Sequence, residues 1–223
     1  MWEEELNMGD PEVLLNFIQY SYNLYGGEHI ALILWDHGSG FIGASRDFII
    51  NNIAYDDTDG DSLDEAEIKS VLEQLSSNGI HVDLLAMDAC LMGMTEVAYE
   101  FYGYIDVFVA SEEIVPGDGF EYNYWLDDLV SNPDMTASEL GEVLVEAYQE
   151  RYGDYYDVCL SAIDVSVLGG DLAEAINLFS SYARDNMEDL VDDLEDAKNA
   201  AGSFYYIDYK DLVDLMYKVK YYV

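Results

Sequence analysis

The sequence predicts an α/β fold, a mostly parallel sheet sandwiched between layers of helix, and three features predict it. Short apolar runs at 30–35 (IALILW), 82–87 and 107–110 are continuous rather than alternating, as in strands covered on both faces. Amphipathic stretches with their own capping residues fall between these runs. Strands that alternate with helices pair in parallel through right-handed crossovers. The 223 residues can bury such a core, and a hydrophobic content of 51% excludes a disordered chain despite a formal charge of -39.

Asp10-Pro11-Glu12 starts the first helix, with an N-cap carboxylate, proline at the first helical position and an acid in the first turn. Val13, Leu14, Phe17 and Ile18 give it one apolar face, and Gly26-Gly27 ends it. The strand at 30–35 stops at Asp36-His37-Gly38. Residues 39–61 read as loop, with Gly40, Gly43 and an acidic run from Asp56 to Asp61. Ser62-Leu63-Asp64-Glu65 reads as a capping box opening a helix with Ile68, Val71, Leu72 and Leu75 at helical spacing, closed by Asn78-Gly79. The strand at 82–87 ends at Asp88-Ala89-Cys90, and a helix over 91–102 leads to the strand at 107–110. A turn, Pro116-Gly117-Asp118-Gly119, then precedes helices over 121–131 and 136–151, a strand at 157–163 and a helix from Val165. Leu212, Leu215, Met216 and Val219 share one face of a last helix. We expect residues 1–168 to form the core and 169–223 a helical part of the same domain.

Eight Lys plus Arg against 47 Asp plus Glu repel phosphate backbones and anionic lipid, which excludes nucleic acid and membrane surfaces and favours cationic partners. High salt or divalent cations would relieve this self-repulsion, so a saline setting and a calcium requirement both fit. No apolar run reaches the roughly 20 residues of a membrane-spanning helix. Met1 leads into Glu3, Glu4 and Glu5 rather than a signal-peptide start, so export would use a targeting segment outside this chain. Two cysteines, Cys90 and Cys159, are too few for a disulfide-built scaffold and leave room for a reactive thiol.

In open α/β sheets ligands gather beyond the carboxyl ends of the strands, where loops converge. His37 and Cys90 each stand just past such an end, 53 positions apart (90 minus 37), on strands joined by one crossover. A histidine facing a cysteine helps form the thiolate and later protonates a leaving amine. Gly38 leaves its backbone N–H unobstructed, and with the N–H of Cys90 it could hold the oxyanion of a tetrahedral intermediate. Taken singly, each residue type is more often structural; the ordered pair of strand-end motifs carries the catalytic reading. Cys159, inside the strand expected at 157–163, reads as a small core residue.

LILWDHGSGF (32–41), LLAMDACLMGMTEVAYE (84–100), ASEEIVPGDGFEYNYWLDDLVSNPDM (110–135) and LSAIDVSVL (160–168) resemble, in order, successive blocks of the clostripain family of cysteine peptidases; ELNMGDPEVLLNFI, from Glu5, resembles the approach to the first. The resemblance implies a caspase-like α/β/α sandwich, a His37/Cys90 dyad, cleavage after Arg or Lys, no cofactor for the chemistry, calcium dependence in some members and self-cleavage. It places the two specificity-pocket acids on Asp88 and Asp118, whose bland alternatives are a helix N-cap and a turn-forming side chain. A desolvated P1 cation does need carboxylate partners. Self-cleavage falls at a basic residue between histidine and cysteine, and of Arg46 and Lys69 the first, in a glycine-rich loop, is the candidate. An extracellular or cell-surface location is expected with it. Caspase-like sheets place two strands before the histidine-bearing one, whereas only about 29 residues precede it here. The sequence therefore predicts a sheet lacking its N-terminal strands, with an unpaired edge.

An EF-hand with Gly60 at its sixth position would put Tyr55 first and Ala66 twelfth, where carboxylates are required, so the acidic run reads as turn and helix capping and no metal ligand is assigned. A serine hydrolase reading of His37-Gly38-Ser39-Gly40 fails for want of a G-x-S-x-G elbow. The non-enzyme alternative is an acidic, calcium-loaded binding module with a buried, inert Cys90.

Overall fold

The computed structural model describes residues 5–41, 52–155 and 157–223. Their contacts divide into two compact units, one running through Leu168 and the other Gly169–Val223.

In the first unit, α1 (Pro11–Tyr25) begins at Asp10, whose carboxylate accepts from the Glu12 N–H, and ends at Gly26, which has a positive φ of 63°. Its inward face carries Ile18, while Phe17 points to solvent, contrary to the apolar face expected from spacing. Strand β1 (Ala31–Trp35) follows. The loop expected over 39–61 contains a strand instead: β2 (Asn52–Asp56) pairs antiparallel with β3 (Asp61–Asp64), joined through the acidic turn. Its core anchors are Ile53 and Leu63, both fully buried and directly paired. Because Ser62 belongs to β3, the capping box of α2 (Glu65–Ser77) lies two residues later than expected: Asp64 accepts from the Glu67 N–H, and Glu67 accepts from that of Asp64. Ile68, Val71, Leu72 and Leu75 are buried as their spacing predicts.

Strand β4 (Leu84–Asp88) is buried along its whole length. The helix expected over 91–102 shortens to α3 (Thr95–Glu100), because Leu91 takes a positive φ of 66° and the N–H groups of Leu91 and Gly93 donate to the carbonyls of Glu113 and Ser111. Strand β5 (Val107–Ala110) leads through that loop to α4 (Tyr122–Ser131), α5 (Ala137–Tyr152) and β6 (Ser161–Asp164). Cys159 therefore precedes its strand rather than lying in it.

The main sheet has the order β1-β4-β5-β6, with β1, β4 and β5 parallel and β6 antiparallel to β5. Two helices rather than one separate β5 from β6, so the chain returns to the same end of the sheet and the strand runs back. Leu84, Ala86, Val107 and Val109 pack on one face against Trp125, Leu140, Leu144 and Tyr148 of α4 and α5. On the other face Leu32, Leu34, Leu85, Met87 and Phe108 are buried, the last against Phe101, and α2 packs on α1 and α3. This is an α/β/α sandwich with a mostly parallel sheet. β1 is not covered on both sides as its composition suggested: it ends the described sheet, and Ala31 and Trp35 are exposed on the α4/α5 side while Leu32 and Leu34 are buried on the other.

The second unit is helical: α6 (Ala173–Asp185), α7 (Met187–Ala200) and α8 (Leu212–Tyr222). The helix expected from Val165 starts only at Ala173, after a short 3-10 turn (Val165–Val167) and a kink at Gly170. Helix α7 packs on α8, and Lys198 and Asp208 pair at 2.9 Å beside their connection.

Candidate active site

Parallel pairing of β1 with β4 sets Trp35 opposite Asp88. His37 and Cys90 each stand two residues beyond that last rung. The two loops touch: a Cβ built on Gly38 would lie 2.5 Å from the Cys90 carbonyl oxygen and 3.0 Å from the Ala89 Cβ. Gly38 also forms an antiparallel bridge with Ile53, which ties this loop to the β2–β3 hairpin. His37 is exposed, and its backbone N–H donates to the Asp36 carboxylate at 2.7 Å.

The Cys90 thiol is half-buried against the loop that follows β5. Its Sγ accepts from the Val115 N–H at 3.4 Å and lies 3.8 Å from the Val115 carbonyl. The left-handed turn at Leu91, held by Glu113, swings the chain away immediately after the sulfur. Cys159 sits 3.7 Å from the Ser111 hydroxyl, and burial pushes its thiol up from the ordinary value.

Asp88 is buried and caps no helix. Its Oδ2 accepts from the Phe120 N–H at 2.9 Å and the Tyr122 hydroxyl at 3.0 Å, whereas Oδ1 is buried with no hydrogen-bond partner among the described residues. Desolvation raises its pKa above the ordinary carboxylate value, against the pull of those two donors. The turn carrying Asp118 closes over it: a Cβ on Gly119 would meet Asp88 Oδ2 at 2.6 Å and Trp35 Nε1 at 3.0 Å, and glycine is further required by a φ of 70°.

Asp118 itself is 79% exposed and faces Arg151, whose Nη2 lies 3.3 Å from its carboxylate while Nε reaches Glu121 at 3.1 Å. Next in sequence, Tyr152 donates its hydroxyl to the Gly119 carbonyl at 2.8 Å. The end of α5 thus clamps the turn from outside while Asp88 holds it from within. The two acids flank Gly119 and face different partners. Sequence reading missed Trp35, Tyr122, Arg151 and Tyr152; only Trp35 had a signal, as the last apolar residue of a strand whose neighbour ends at Asp88.

Arg46 lies outside the described residues. Lys69 lies in α2, paired with Glu100 at 3.1 Å. The acidic run forms the β2–β3 turn: Asp56 accepts the N–H groups of Met8, Thr58 and Asp59, and the Met8 bond foremost lowers its pKa. Glu5, Asp56 and Asp59 bring carboxylate oxygens within 4.8 Å of one another. No described helix is long and apolar enough to cross a membrane.

His37 and Cys90 follow the carboxyl ends of the parallel strands β1 and β4, Asp88 closes β4 and Asp118 lies in the turn above it, all within an α/β/α sandwich, the class of protein this fold defines. Comparison with known proteins agrees with that class. The chain belongs to the clostripain family, whose profile matches residues 1–222. It is 30% identical to clostripain of Hathewaya histolytica, an alignment covering 96% of this chain and 48% of that protein, so the chain spans about half the length of the curated relative it matches. Its fold is similar to that of a secreted C11 cysteine protease from Bacteroides thetaiotaomicron, solved with an irreversible peptide inhibitor: TM-score 0.67, 20% identity, 97% of this chain and 58% of that one. An inactive zymogen C11 protease from Parabacteroides distasonis matches with a TM-score of 0.58 at 20% identity, over 76% of this chain and 43% of that one.

Proposed function

We propose that the chain is the core of a cysteine endopeptidase, with Cys90 as nucleophile and His37 as its proton-transfer partner. The observation that carries this reading is the Trp35–Asp88 register, from which both residues stand two positions onward, with Gly38 packed on the Cys90 carbonyl. The imidazole takes the thiol proton and Sγ attacks the scissile carbonyl carbon. The N–H groups of Gly38 and Cys90 hold the oxyanion. The C–N bond breaks as the imidazolium protonates the departing amine, leaving a thioester. Water, giving a proton to the same imidazole, hydrolyses the thioester and the thiol regains its hydrogen.

The substrates are peptides with Arg or Lys before the scissile bond. A desolvated cation needs a carboxylate partner, and the buried Oδ1 of Asp88, which has no hydrogen-bond partner among the described residues, supports a pocket there. Asp118 shares the role from the exposed side, where its pairing with Arg151 is worth little and an incoming cation can replace it. Self-cleavage at Arg46 and action outside the cell complete the proposal. Glu5, Asp56 and Asp59 offer the hard oxygens calcium prefers, but three carboxylates fall short of its roughly six to eight ligands, and both Asp56 oxygens already accept backbone N–H groups. No catalytic step runs through calcium.

The test is hydrolysis of fluorogenic Arg and Lys peptides by wild type and Cys90→Ala, with calcium and with chelator. Turnover that vanishes in Cys90→Ala is expected; equal turnover in both chains would remove Cys90 from the chemistry. Loss of activity in chelator, with no loss in an Asp59→Asn chain, would move any calcium site elsewhere.

A further inference from the structure

We propose that Trp35 is a specificity-determining residue of this pocket, stacking its indole on the guanidinium of a P1 arginine held by Asp88 and so favouring arginine over lysine. The inference rests on the pocket reading above. Residues opposite one another on adjacent strands project to the same face of a sheet, so the Trp35–Asp88 rung puts an indole beside a carboxylate. The two groups meet on one spot of the overlying turn, because a Cβ on Gly119 would approach Trp35 Nε1 at 3.0 Å and the Asp88 oxygens at 2.6 and 3.1 Å.

The two side chains differ in how they are left. Asp88 is desolvated and keeps one oxygen without a donor among the described residues, an arrangement that asks for a cation. Trp35 is 65% exposed, whereas Trp125, on the same side of the sheet, is 5% exposed and packed in the core. A large ring left open beside a buried acid offers a π face where the positive charge would arrive. Tryptophan is the strongest cation–π partner. A planar guanidinium can stack on such a ring while its N–H groups reach the carboxylate, and it sheds water more readily than an ammonium. Lysine brings a compact, strongly hydrated charge that gains less from the ring.

The experiment measures kcat/KM on two peptides differing only in Arg or Lys at P1, with wild type, Trp35→Phe and Trp35→Leu. Leucine keeps apolar bulk on the strand and removes the π face, and melting curves check that both variants fold. The expected result is an Arg-to-Lys ratio that falls roughly tenfold in Trp35→Leu, mainly through KM for the arginyl peptide, with Trp35→Phe between. Cys90-dependent turnover with an unchanged ratio in both variants would overturn the role of Trp35 and leave the peptidase reading standing. Turnover that ignores Cys90 would sink that reading instead. The same ratio, read as Kd for arginyl and lysyl peptide amides on the Cys90→Ala chain, tests Trp35 without any turnover.

Discussion

Gly38 packs so closely on Cys90 that a Cβ at position 38 would stand 2.5 Å from the cysteine's carbonyl oxygen. That neighbour is backbone and cannot rotate aside, and the Met92 Cγ would lie 2.9 Å away on another side. Gly38→Ala must therefore displace either the histidine loop or the turn holding the thiol. Misplacement of about 1 Å at a reacting centre can cost on the order of 100-fold, and a loss of that size in kcat is expected. Gly117→Ala is the control: no heavy atom of the described residues lies within 4 Å of its Cβ position, so activity and melting temperature should hold.

The two thiols should react differently. Burial raises the Cys159 pKa, so that sulfur stays protonated and inert at neutral pH. Under limiting iodoacetamide at pH 7, peptide mapping by mass spectrometry should find Cys90 alkylated roughly tenfold faster than Cys159 or more. His37→Ala should slow the Cys90 rate toward that of Cys159. Equal rates in wild type would favour the acidic binding module, in which Cys90 is inert.

What the sequence made legible is what depends on local rules. Continuous apolar runs marked β1, β4 and β5, Asp10-Pro11 marked the start of α1, and His37 and Cys90 stood out because each closes such a run. The β2–β3 hairpin was hidden because each strand carries a single deeply buried apolar anchor, Ile53 or Leu63, among polar and acidic residues, and a lone residue has no period. The expected helix at 91–102 lost its first turn to a tertiary contact, the pairing of Leu91 and Gly93 with the loop after β5.

The pocket was less legible than the dyad because its parts come from distant segments. Asp88 and Asp118 were named by resemblance, but the different partners they face follow from the fold: Tyr122 and the Phe120 N–H within, Arg151 outside. Nothing in the sequence around Arg151 and Tyr152 marks them as clamps, since both read as ordinary residues at the end of a helix. Trp35 was counted as part of a buried strand, and only its place on the last strand of the described sheet leaves it open.

Tyr152 offers a measure of that clamp. Tyr152→Phe keeps the ring and leaves the Gly119 carbonyl without its donor, a loss of about 1 kcal/mol. Because Gly119 covers Asp88, the turn should loosen over the pocket. We expect KM for an arginyl peptide to rise a few-fold with kcat nearly kept. A proportional fall in kcat instead would place Tyr152 nearer the reacting atoms than the geometry does.

Glu65 should make stability fall as pH rises. It opens α2, is buried, and has an Oε1 with no hydrogen-bond partner among the described residues. Desolvation raises its pKa from 4.5 to about 7, with Asp64 and Glu100 adding smaller repulsions. The folded chain therefore keeps a proton that the unfolded chain has released between those two values. Stability rises with pH only where the unfolded state binds more protons, so here it falls. Below pH 4.5 both states are protonated and the group costs nothing; above 7 the full cost is present. A shift of this size corresponds to at most roughly 3 kcal/mol, reduced by whatever water reaches the carboxylate. Glu65→Gln removes the titration and keeps the shape. Urea midpoints for the two chains should run parallel below pH 4.5, diverge in favour of Glu65→Gln up to about pH 7, and run parallel again beyond it. The difference between the curves isolates this group together with its coupling to Asp64 and Glu100, because acids away from it titrate alike in both chains. A difference that stays flat from pH 4 to 8 would mean that Glu65 ionises as an exposed glutamate does and that its buried oxygen has found water.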